Sequence, residues 1–247
     1  MLIVLSVTIN SNLLQIFPGI DLSLPILILA SATFMELINK ASELNQVIAE
    51  KKKAGNTIGF VPTMGALHAG HLSLLENARK NNNITVVSIF VNPTQFNDPD
   101  DLRNYPRTPE KDLTLLSSAG CDFVFMPSVE EVYPSSYHFS YTIGPLEEKM
   151  EGKFRPGHFQ GVVSVVYRLF EIVTPHHAYF GEKDFQQLAI IRKMVSDLLL
   201  PVEIIPCPIV REPDGLAMSS RNLRLSPTHR QHAPLIAQTL FQAAEKG

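Results

Sequence analysis

Residues 62–71 read Pro62-Thr63-Met64-Gly65-Ala66-Leu67-His68-Ala69-Gly70-His71. Gly65 and Gly70 permit tight turns and close backbone approach, and a helix opening near Gly70 would offer N–H groups to an anion. His68 and His71, three residues apart, can both point at a phosphate bound there. As donors they would stabilise charge that develops during its transfer. A zinc site is excluded, because the glutamate expected after the first histidine of such a motif is absent. A capped helix with two surface histidines fits the same residues equally well.

Three further polar clusters each follow an apolar run. Gln95 lies in Asn92-Pro93-Thr94-Gln95-Phe96 and offers a donor and acceptors to a hydroxy acid or an amine. An ordinary polar loop reads the same. In Gly181-Glu182-Lys183-Asp184, Lys183 can hold a phosphate as a point charge, and Asp184 can cap a helix or meet a metal. Gln187 falls one turn further on, toward the same crevice. Met218-Ser219-Ser220-Arg221-Asn222 follows the Asp214-Gly215 turn and places two hydroxyls beside a guanidinium, a clamp suited to the phosphates of ATP. Arg155-Pro156-Gly157-His158-Phe159 is a weaker candidate for facing a carboxylate. His176-His177 reads as exposed, and Val162–Val173 reads as core.

The elements that must position these clusters alternate. Residues 35–53 read as a helix closed by Lys51-Lys52-Lys53. Thr57–Thr63 and the β-branched run Ile84–Val91 read as strands, the latter buried on both sides. Between them, residues 70–80 have a helical spacing with Leu72, Leu75 and Ala78 on one face. A loop over 92–108, a helix over 109–119 and a strand over 121–126 follow. Phe139–Ile143 reads as an outlying strand. Gly161–Thr174 is an apolar helix, 178–180 a short strand, and 184–199 a helix with Phe185, Leu188, Ile191, Val195 and Leu198 inward. Val202–Arg211 is the last strand. Such alternation implies an α/β fold, a Rossmann-like parallel sheet with helices on both faces. Ligands of such sheets bind beyond the C-terminal strand ends, where all four clusters lie.

Composition narrows the field. A chain of 247 residues that is 45% hydrophobic and 18% charged can bury a core and is not a disordered tail. A net charge of -3 with dispersed Lys and Arg lacks the basic stripe of a nucleic-acid binder. Cys121 and Cys207 lie in apolar runs, which reads as reduced core thiols and not a disulfide framework. Residues 1–34 hold no Lys or Arg, so they lack the positive start of a secretory signal. The apolar run 22–29 falls well short of the ~20 residues that cross a bilayer. They read as an extension outside the fold, and the protein as cytoplasmic.

Together the four clusters supply donors and cations suited to phosphates, with no Ser-His-Asp arrangement, paired-cysteine motif or Walker sequence. A substrate carboxylate can attack the α-phosphate of ATP without a protein nucleophile, provided the reactants are aligned and charge is stabilised. At this point the chain resembles the pantothenate synthetase (pantoate–β-alanine ligase) family. The likeness lies in 62–71, 90–96, Tyr105-Pro106-Arg107-Thr108, 155–159, 180–188 and 210–222, and covers 35 to about 234. His-x-Gly-His and the Ser-Ser-Arg loop mark the wider superfamily of nucleotidyltransferases and class I aminoacyl-tRNA synthetases.

The resemblance implies a homodimer, and the joining of pantoate to β-alanine by way of a pantoyl adenylate, with ATP and Mg2+. It implies that Met64, Gly65, Ala66, Leu67, His68, Ala69, Gly70 and His71 contact ATP, with His71 as proton donor and His68 steadying the phosphates. Gly181, Glu182, Lys183, Asp184, Val210, Met218, Ser219, Ser220 and Arg221 complete the ATP site, and Lys183 joins the histidines in catalysis. Gln95 and Gln187 bind pantoate, Gln95 also meets β-alanine, and Asp184 lies near the magnesium. The family begins near Met35 and continues past Gly247, so the expected organisation is three parts. These are an extension over 1–34, the ATP- and pantoate-binding domain over 35–222, and over 223–247 the start of a C-terminal lid domain that is largely missing. Two other readings stay open: a nucleotidyltransferase acting on a phosphorylated acceptor, indifferent to β-alanine, and a nucleotide-binding module without turnover.

Overall fold

The computed structural model describes residues 35–246; the extension read over 1–34 lies outside them. The first half runs β1 (Glu36–Ile38), α1 (Ala41–Lys53), β2 (Ile58–Thr63), α2 (Ala69–Asn81), β3 (Ile84–Ile89), α3 (Pro99–Arg103), α4 (Pro109–Ser118) and β4 (Phe123–Phe125). The second runs α5 (Val129–Val132), α6 (Met150–Phe154), α7 (His158–Val173), β5 (His177–Gly181), α8 (Phe185–Asp197), β6 (Glu203–Cys207), α9 (Pro227–His232) and α10 (Pro234–Ala244). The strands form one parallel sheet in the order β1-β4-β3-β2-β5-β6. Helices cover both faces: one core gathers α1, α7 and α8, the other gathers α2 and α4. No helix among the described residues is long and apolar enough to cross a membrane.

From β2 the chain winds outward through β3 to β4, then returns to lay β5 on the other side of β2. The crevice at that reversal is where an open α/β sheet binds its ligand. The sequence sharpens the reversal with Pro62. Ile58 turns its backbone toward β5, since His176 N–H donates to its carbonyl. Every second residue faces the same way, so Pro62 presents a missing N–H to β5. Pairing of β2 with β5 accordingly covers only Gly59 and Phe60, whereas β2 pairs with β3 along its whole length. The two strands separate, and their ends form the walls of a cleft.

The structure corrects several expected boundaries. Residues 35–53 are not one helix: Glu36–Ile38 pair with β4, and α1 starts at Ala41. Its first N–H is capped from 90 residues away by Glu131 Oε2 at 3.0 Å, a partner no local pattern announces. Phe139–Ile143 is not a strand. Side chains hold it instead, with Phe139 stacked on Tyr167 at 4.2 Å, the Tyr141 hydroxyl donating to Asp197 at 2.8 Å, and Ile143 buried. In α8 the inward set is Gln186, Leu188, Ile190, Ile191 and Met194, while Phe185 is 68% exposed and Leu198 is also exposed. The last strand stops at Cys207, and the loop over 92–108 contains α3. His176 and His177 are half-buried, not exposed: His176 Nδ1 accepts from Ile58 N–H at 2.9 Å, and His177 meets Asn82 at 2.7 Å. Both cysteines are buried free thiols, as expected.

Candidate active site

The cleft at the β2/β5 reversal holds a cavity of about 220 Å³, many times the ~10–15 Å³ that admits a single water, and so a ligand site, not a packing flaw. All four polar clusters reach it. Its lining includes Met64, His68, Gly70, His71, Gln95, Gly181, Lys183, Asp184, Gln187, Val210, Met218, Ser219, Ser220 and Arg221. Gly65, Ala66, Leu67, Ala69 and Glu182, expected to contact ATP, do not line it. Gly65, Ala66 and Leu67 are buried behind the wall, and Ala69 and Glu182 are exposed outside it.

The histidines are arranged by the backbone around them. The chain leaves β2 through a left-handed turn at Gly65 and Ala66, with φ of 80° and 50°. His68 then caps α2, its Nδ1 accepting from Gly70 N–H at 3.1 Å. His71 Nδ1 accepts from His68 N–H at 3.3 Å, and the ring centroids lie 4.1 Å apart. An imidazole whose Nδ1 accepts a hydrogen bond carries its proton on Nε2, so both rings are neutral donors. Burial pushes the His71 imidazole down to about 3; the Lys183 charge pushes the same way, as would a proton on His68. Burial also lowers His68, with Lys183 adding to it and Glu212 opposing. The expected free N–H groups of the helix start are thereby corrected: Gly70 N–H is taken by His68 Nδ1, and His71 N–H by the His68 carbonyl. Side chains must supply most of the donors there.

Lys183 lies in a single helical turn, Glu182–Asp184, directly after β5. Its Nζ is 3.2 Å from Asp184 Oδ1. Asp184 does not cap α8, contrary to one expectation. Among the described residues it is the one carboxylate lining the cavity, and no three His, Cys, Asp or Glu gather to hold a metal.

Gln95 is fixed by a residue that the sequence reading passed over. Asn92 is buried at the end of β3, and its Nδ2 donates to Gln95 Oε1 at 3.2 Å and to Gly161 O at 3.0 Å. The Tyr133 hydroxyl donates to Asn92 Oδ1 at 3.0 Å. A polar residue directly after a buried β-branched run was the available signal. Val162, Val165, Val166 and Leu169 of α7, expected only as core, form an apolar wall of the cavity. His158 points away and meets Gln95 O at 2.8 Å, while Arg155 faces Glu151.

The Ser-Ser-Arg loop is closed on itself. Ser219 Oγ accepts from Arg221 N–H at 3.2 Å, and Ser220 Oγ lies 3.2 Å from the Tyr105 hydroxyl. The Arg221 guanidinium sits over the Tyr105 ring at 5.4 Å and donates to Asp101 at 2.9 Å; Arg224 donates to the same carboxylate. A bound phosphate would have to draw Arg221 away from Asp101.

Among the described residues no base is hydrogen-bonded to either serine, so neither is prepared as a nucleophile. What the cleft provides is neutral N–H donors, cations and amides around a space large enough for small substrates. The fold and the site thus define an α/β enzyme that uses a nucleotide, aligning reactants and neutralising phosphate charge. The family model described as pantoate-beta-alanine ligase matches residues 36–247, and the chain belongs to that family. Pantothenate synthetase of Porphyromonas gingivalis is 56% identical over 209 residues, covering 85% of this chain and 74% of the relative. The enzyme of Acetivibrio thermocellus is 54% identical over 211 residues, covering 85% and 75%. The crystal structure of pantothenate synthetase from Thermus thermophilus superposes with a TM-score of 0.81 at 48% identity, covering 86% of this chain and 77% of that one. Pantoate-beta-alanine ligase of Francisella tularensis, solved with beta-gamma ATP and beta-alanine, gives 0.78 at 40% identity, covering 83% and 78%.

Proposed function

We propose that this chain condenses pantoate with β-alanine at the β2/β5 cleft in two steps. A carboxylate oxygen of pantoate attacks the α-phosphorus of ATP, the bond to the bridging oxygen breaks, and pyrophosphate leaves a pantoyl adenylate. The amine of β-alanine then attacks the acyl carbon, gives up a proton, and AMP departs with pantothenate formed. Neither step needs a bond to the protein, so alignment and charge stabilisation are the protein's whole task.

The observation that carries this reading is the convergence of four strand-end clusters on one cavity, with donors and cations facing an apolar wall. In this assignment Met64, His68, Gly70, His71, Gly181, Lys183, Asp184, Val210 and Met218 to Arg221 form the ATP site. His71 and His68 donate from neutral Nε2–H groups to the transferring phosphates, and Lys183 adds a point charge. Gln95 and Gln187 hold the polar groups of pantoate, whose two methyls suit Val162, Val165 and Val166. Gln95 then meets the amine of β-alanine. Asp184 fits a magnesium brought in by the nucleotide, because Mg2+ in such sites takes one or two carboxylates plus phosphate oxygens. When bound, the ion neutralises phosphate charge. On the family resemblance, residues 35–222 hold both substrates, 223–247 open a second domain, and the enzyme is a cytoplasmic homodimer.

The test is pantoate-dependent exchange of pyrophosphate into ATP, with magnesium and without β-alanine. Exchange followed by pantothenate formation on adding β-alanine is the expected result. ATP binding without any pantoate-dependent exchange would refute the assignment of adenylate formation to this cleft.

A further inference from the structure

Among the described residues Asp112 is the one buried carboxylate, 1% exposed, and no cation pairs with it. A buried charge in that position is costly unless hydrogen bonds satisfy it. Three donors do so. Ala66 N–H reaches Oδ2 at 2.9 Å, while Leu67 N–H and the Thr108 hydroxyl reach Oδ1 at 2.8 and 3.1 Å.

The two backbone donors belong to the turn that delivers His68 and His71. Ala66 is held at φ 50°, a left-handed conformation that costs a residue with a β-carbon about 1 kcal/mol or more. Such a conformation persists only where its surroundings impose it. The preceding residue is shaped to the same partner: a β-carbon on Gly65 would lie 3.1 Å from Asp112 Oδ2. Asp112 does not line the cavity. It sits in α4, an element that contributes nothing else to the site.

We infer that Asp112 is a positioning residue for adenylation, its carboxylate fixing the Gly65–Leu67 turn so that both imidazoles present Nε2–H to the cavity. This rests on the adenylation reading above. The carboxylate is required because both oxygens accept backbone N–H groups. An amide in its place must direct an NH2 at one of them, whichever way it is turned.

Wild-type exchange of pyrophosphate into ATP tests the underlying reading first; its absence would sink that reading, not this one. Given exchange, Asp112→Asn is expected to lower its kcat about 10²-fold, as for a displaced catalytic group. KM for pantoate, set by Gln95 and Gln187 on other elements, should stay within about threefold. Imidazole ¹⁵N spectra add a readout that plain destabilisation would not move. The folded variant should show His71 titrating above its wild-type position, because a ring released from the turn loses part of the burial that holds it down at about 3. If Asp112→Asn does not fold, Thr108→Val removes one of the three donors, and the expected fall in kcat is about tenfold at unchanged KM. A folded variant with wild-type kcat and unchanged imidazole titration overturns the proposal. So does a loss confined to KM.

Discussion

Gly70→Ala separates stability from chemistry at this site. A β-carbon on Gly70 would lie 2.9 Å from both Nδ1 and Cε1 of His68, closer than real contacts allow, so the ring must swing out of its cap. Losing a cap hydrogen bond costs about 1 kcal/mol, and alanine in place of glycine in a helix returns up to about 1 kcal/mol. The two nearly cancel, and Tm should move by no more than about 4 °C for a chain of this size. Activity has no such compensation. Losing one preorganised donor to a developing oxyanion costs about 10²–10³ in kcat. Pyrophosphate exchange and a thermal melt on the same preparation give both numbers. A variant that melts like wild type and exchanges at the wild-type rate would show that the His68 ring position is irrelevant to catalysis.

Other consequences are as direct. Lys183→Ala should abolish adenylate formation and leave the melt unchanged, since the side chain is 38% exposed and its neighbour Asp184 is more so; a rate near wild type would remove it from the site. Gln187→Ala should weaken pantoate binding more than ATP binding by calorimetry, and equal losses would contradict its role. His71 titrates at about 3 in the folded protein against 6.5 for the free side chain. Between those values the unfolded chain binds the extra proton, so stability is full above 6.5 and declines as pH falls toward 3. From pH 6.5 to 4.5 the wild type should therefore lose on the order of 2 kcal/mol relative to His71→Gln; parallel stability curves in urea would refute the neutral, half-buried imidazole.

The sequence by itself determined the strand-and-helix alternation and the polar clusters that the fold gathers at one cavity. Ile84–Val91 announced a strand buried on both sides, because a parallel sheet covered by helices wants an unbroken β-branched run, and Ile84–Ile89 forms it. The polar clusters were legible because each interrupts the apolar pattern at a strand end, where a parallel sheet opens to ligand. Periodicity, however, reports which side of an element is buried and says nothing of what lies against it. Glu36–Ile38 became a strand only because β4 offers it a partner, and Phe139–Ile143 did not because none was offered. Val162, Val165 and Val166 look like any core residues; the separation of β2 from β5 at Pro62 turns their face into a cavity wall. Asp112 sits in a run of charges, Glu110-Lys111-Asp112, which gives no sign that one of them is buried. Only the packing of α4 behind the Gly65–Leu67 turn buries that one carboxylate and gives it two backbone N–H groups to hold. Long-range partners of this kind leave no mark in local spacing, because the hydrogen bond joins residues 45 and 46 positions apart.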